Sequence, residues 1–163
     1  MTYSPIPIFK NVNMEVESSN SSGTTSNLSA DHKFEMPTFS LSGVSVSNDI
    51  LTLPSGYSYY IIGGVLGGNT GDHSYDVRID WYNEDTSSYV GSSSYYRNSS
   101  TSPTQGASHT NVNASRIAAR FFIRDADIST NINLSLRLRT LTDGPFKSYN
   151  YIYCIIHRVP TPT

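Results

Sequence analysis

INLSLRLRT, residues 132–140, places Ile132, Leu134, Leu136 and Leu138 at every second position and sets Asn133, Ser135, Arg137 and Arg139 between them. Successive side chains of an extended chain point to opposite faces, so a period of two builds one apolar and one polar face, the mark of a half-buried strand. DVRIDWY, residues 76–82, repeats the pattern: Val77, Ile79 and Trp81 oppose Asp76, Arg78 and Asp80. SRIAARFFIR alternates too, with Ile117, Ala119, Phe121 and Ile123 on one side, although Phe122 interrupts the polar row. Ala and Arg favour helices, yet the following DADIST offers no further apolar turn, so strand is the better reading.

Working outward, YNYIYCIIHRV, residues 149–159, is β-branched and aromatic on both faces. Such a strand is expected to be covered on both sides, by a facing sheet or by another subunit. GNTGD, NEDTSS, RNSSTSPTQGAS and TDGPFKS separate these runs and are dense in turn-forming residues. SSNSSGTTSNLS, residues 18–29, is low in complexity and reads as a flexible surface segment. The expected organisation is an N-terminal extended arm and flexible segment over residues 1–30, then one domain over 31–163. Many short strands with turn signals between them predict an all-β, antiparallel β-sandwich, of jelly-roll rather than immunoglobulin type, since the Cys and Trp spacing of the latter is missing.

Composition supports one polar-surfaced β domain. The 163 residues are 37% hydrophobic and 15% charged, and Ser, Thr and Asn make up about a third of them. A formal net charge of -2 supplies no general field for nucleic acid or anionic lipid, so neither is an expected partner. No apolar run approaches the ~20 residues of a membrane span, and MTYSPIPIFK lacks the layout of a signal peptide. A soluble protein made in the cytoplasm is the expectation. The single cysteine, Cys154, excludes an internal disulfide and sits in an apolar run, where a buried thiol is the ordinary reading.

No motif points to catalysis or a cofactor. YSYYIIGGVLGGNTG, residues 57–71, has glycines after a strand, but neither the order nor the following helix that a phosphate loop needs. Gly63 and Gly64 are therefore expected to permit a bend, a bulge or the close approach of another backbone. Asp72, His73 and Asp76 do not match a calcium loop, and the four histidines, His32, His73, His109 and His157, form no zinc pattern. Ser is abundant without GxSxG, and no carboxylate pair sits in an acid/base motif. Catalytic, cofactor and metal residues are accordingly expected to be none.

The 12 tyrosines are the more informative signal, because Tyr offers a large contact area with a polar tip and suits interfaces as well as sandwich packing. Arg116, Arg120, Arg124, Arg137 and Arg139 fall on the outward rows of two expected strands, where pairing with Asp76, Asp80 or Asp127 is anticipated.

LPSGYSYYIIGGVLGG, VRIDWYNEDTSSYVGSSS, ASRIAARFFI, LRLRTLTDG and YIYCIIHRV, taken in succession over about residues 41–159, resemble the C1q/TNF-like jelly rolls. That family enters a central strand with Leu-x-x-Gly-x-Tyr, closes a middle strand on Val-Gly-Ser, and ends on an apolar strand. The resemblance implies a ten-stranded jelly roll associating as a homotrimer, with Tyr57, Tyr59, Tyr151, Tyr153 and Arg120 at the trimer interface. The sequence departs from the family in having no Gly-X-Y stalk here and DADISTNIN in place of Gly-Asp-x-Val. Its Ser/Thr/Asn-rich composition and Pro-containing arm are also similar to the decoration, or cement, proteins of tailed bacteriophages. This implies a place on the virion capsid surface and a major capsid protein as partner, contacted through Pro5, Ile6, Pro7, Ile8 and Phe9. The same arm is alternatively the first strand of the sheet. A different functional expectation is a receptor-binding knob taking host glycan on Tyr89, Tyr95 and Tyr96.

Overall fold

The computed structural model describes residues 15–21, 27–68, 75–98, 115–124, 127–142 and 146–160. The strands are β1 (Glu15–Ser21), β2 (Asn27–Leu28), β3 (Ser45–Ser47), β4 (Ile50–Leu53), β5 (Tyr57–Gly68), β6 (Tyr75–Asn83), β7 (Ser88–Asn98), β8 (Ser115–Ile123), β9 (Ile132–Thr142) and β10 (Phe146–Pro160). All pair antiparallel in the order β1-β10-β5-β8-β7-β6-β9-β4-β3, with β2 beside β10. The path curls into two layers, a first sheet β1-β10-β5-β8 and a second sheet β7-β6-β9-β4-β3, and this is a jelly roll. No helix among the described residues is long and apolar enough to cross a membrane.

The period of two decides what each layer buries. The second sheet turns Val77, Ile79 and Trp81 of β6, Leu134, Leu136 and Leu138 of β9, and Leu51 and Leu53 of β4 into the core. Facing them from the first sheet are Tyr59, Ile61 and Val65 of β5, Ile117, Ala119 and Phe121 of β8, and Ile152, Cys154 and Ile156 of β10. Trp81 joins the layers: its indole Nε1 donates to the Ala119 carbonyl oxygen at 3.2 Å. A Cβ at Gly63 would run into that indole, so the glycine makes room for the largest core side chain. Gly64, on the opposite face of the same strand, makes room for the Tyr153 ring. What approaches this pair is not another backbone but two side chains, one on each side of the sheet.

Gly91 turns the corner between the layers. Ile79 pairs with Ser94 and Trp81 with Val90, so extra β7 residues bulge between them. Gly91 sits there at φ 78° with its backbone against the Arg120 carbonyl, and the next residue, Ser92, pairs with Arg120 across the layers. A side chain at Gly91 would have neither the space nor the conformation.

Two expectations are corrected. A boundary between residues 30 and 31 does not separate an arm from the domain, because Glu15–Ser21 pairs with β10 over seven residues and Asn27–Leu28 pairs with its other end. Ladder hydrogen bonds are made by backbone, so a Ser- and Asn-rich chain can form an edge strand without apolar side chains. β1 is further held by Glu17, whose carboxylate accepts from the Ser40 and Leu41 amides at 2.8 Å and from Ser40 Oγ at 2.8 Å. Second, Tyr59 is not at a subunit boundary: it is 1% exposed, and its hydroxyl donates to the Pro54 carbonyl at 2.6 Å. Tyr57, Tyr59 and Ile61 share the inner face, while Tyr60 and Ile62 take the outer one.

Candidate functional site

The two outer faces of the sandwich differ in chemistry. On the second sheet the outward residues close on one another. Asp80 is buried between two guanidiniums, Arg139 donating to it at 3.1 Å and Arg78 Nε lying 3.1 Å away. Glu84 accepts from Ser135 Oγ at 2.6 Å and Arg137 at 2.8 Å, and Lys33 pairs with it at 3.1 Å. Partial burial raises the Glu84 carboxyl, but the bonds from Ser135, Arg137 and Lys33 outweigh it and bring the group down to about 2. Arg137 lies 3.7 Å above the Tyr82 ring, Arg139 4.6 Å above Tyr89, and the two rings meet edge to face. The Tyr89 hydroxyl, pushed up to about 12 by burial and then by Asp31, donates to Asp31 at 2.8 Å. Among the described residues, Asp80, Glu84, Arg137 and Arg139 are thus paired with one another or with neighbours, and the Tyr82 and Tyr89 rings each lie under a guanidinium.

The first sheet presents the opposite. Strand register lines up His157 of β10, Tyr60 of β5 and Phe122 of β8 in one row, with Val16 of β1 at its end. The next row runs Ile155, Ile62, Arg120, and the next Tyr153, Gly64, Ala118. Phe122 is 62% and Tyr60 37% exposed, with Ile62, Tyr153, Ile155 and His157 half-buried around them. The His157 and Tyr60 rings lie 5.8 Å apart. Alternation places Arg120 on this face and no Asp or Glu among the described residues. An aromatic and aliphatic patch with one sign of charge is what a protein surface ordinarily avoids unless something covers it.

The expected interface residues divide accordingly. Tyr153 and Arg120 lie on this outer face, Arg120 exposed. Tyr57 is half-buried on the inner side, beside Tyr59 and beneath the Arg158 guanidinium at 4.5 Å. Tyr151 is a β10 residue whose side chain, like that of Tyr96, lies outside the described set. Pro5, Ile6, Pro7, Ile8 and Phe9 are outside the described residues, as are Asp72, His73 and His109. Tyr89 is tied to Asp31, and Tyr95 is 59% exposed. Sequence reasoning missed Tyr60, Ile62, Phe122, Ile155 and His157 as one surface. The signal was present in Phe122, the residue that broke the polar row of β8.

Arg158 is the other unforeseen residue. It occupies an inward position of β10, nearly fully buried, pairs with Glu15, donates to the Ser42 carbonyl at 2.6 Å and covers Tyr57. It joins β1, the connection before β3 and the start of β5, at the Glu15 end of β1.

No family model matches the sequence, and no curated protein matches it. Among solved structures, the chain is similar to Eiger TNF from S. frugiperda at 12% identity and TM-score 0.47, covering 90% of this chain and 93% of that one. The infectious bursal disease virus VP2 subviral particle is similar at 10% identity and TM-score 0.38, over 98% of this chain and 37% of that one. The virus-like particle of extra small virus from the prawn Macrobrachium rosenbergii gives 12% identity and TM-score 0.23, over 100% and 95%.

Proposed function

We propose that this chain is a non-enzymatic structural protein of a virion: a homotrimer that decorates the capsid of a tailed bacteriophage and binds the major capsid protein through Pro5–Phe9. The observation that carries the reading is the contrast between the two outer faces. The second sheet's face is closed by its own ion pairs and suits solvent, whereas the first sheet's aromatic face gains from being covered. A second and third copy of the chain are the proposed cover, each burying Tyr60, Phe122, Ile62 and Ile155. Trimerisation would also place three N-terminal arms on one assembly, so that weak single contacts to a shell add up to firm attachment. The virion setting comes from the resemblance of the sequence to decoration proteins.

The first test is solution mass by light scattering at neutral pH, expected near three times 18.0 kDa. A monomer overturns the trimer. The second is co-sedimentation with undecorated capsids, using the whole chain and a chain lacking residues 1–14. The cut stops before Glu15 so that β1 keeps its ladder with β10. Binding by the whole chain and its loss in the shortened one are expected; no binding by the whole chain overturns the capsid role.

A further inference from the structure

We draw no further inference here: the strongest candidate, the aromatic and aliphatic surface patch that Tyr60, Ile62, Phe122, Ile155 and His157 form on the outer face of the first sheet, carries nothing beyond the reading above, because nothing in the structure shows what covers it.

Discussion

At the scale of single residues, Gly63 and Gly64 separate what the core requires from what the surface tolerates. Gly63→Ala drives a methyl into the Trp81 indole, which is fully buried and also bonded to Ala119. Overpacking of this kind costs about 1–3 kcal/mol, to be read as a lower urea midpoint followed by Trp fluorescence. Gly64→Ala meets the Tyr153 ring instead, on a half-buried face where the ring can swing aside. Its midpoint is expected to move by less than that of Gly63→Ala, and an equal loss would show that the outer face is packed as tightly as the core. Cys154 offers an independent readout, since burial pushes its thiol well above the ordinary range. It should stay unreactive to a thiol reagent until the sandwich unfolds, and rapid labelling of the native protein would contradict the buried position of β10.

At the scale of elements, β1 is an edge strand fastened through the carboxylates of Glu15 and Glu17. The Ser40 amide leads in holding the Glu17 carboxyl below its ordinary value, outweighing the opposite effect of burial, with Ser40 Oγ, Leu41 and Arg158 adding to it. A group whose native pKa is depressed stabilises the fold above its unfolded value of 4.5, and that contribution is lost as the pH falls through the native one. Hydrogen exchange of the β10 amides that face β1 should therefore quicken below about pH 4 and do so before exchange in β6 and β9. Glu17→Gln, which leaves an amide nitrogen opposite backbone donors, should produce that quickening already at neutral pH. Uniform exchange across both sheets would show that β1 unfolds only with the whole. The same element shows where sequence reading stops. EVESSNS carries no apolar alternation, and its strand state depends on a ladder to β10, some 130 residues away in the chain. By contrast β6 and β9 were legible from their own residues, because one buried and one solvated face impose the period of two directly.

At the scale of the whole molecule, the sandwich is asymmetric. The second sheet carries Asp80, Glu84, Arg137 and Arg139 outward in mutual pairs, and the first carries Tyr60, Phe122 and Ile155. If copies meet on the latter, Phe122→Asp and Tyr60→Asp should each reduce the solution mass to 18.0 kDa without altering the β spectrum, since neither side chain supports the core. Arg137→Gln, on the other layer, should leave the mass unchanged while lowering stability, because Glu84 then loses the charged nitrogen that donates to both its oxygens. Dissociation by Arg137→Gln, or indifference to both Asp substitutions, would move the contact to another surface.

Alternation, turn chemistry and the missing motifs were enough to determine an antiparallel sandwich and the inward rows of β6, β8 and β9, because burial of a strand face is a local property of every second residue. Tertiary structure alone decided that Tyr59 faces the core while Tyr60 faces out, that a polar N-terminal stretch is a strand, and that Arg158 is a buried anchor. It alone also gathered Tyr60, Phe122, Ile155 and His157 into one surface. Those outcomes depend on strand register between segments far apart in the chain, and a shift of one residue would exchange the two faces.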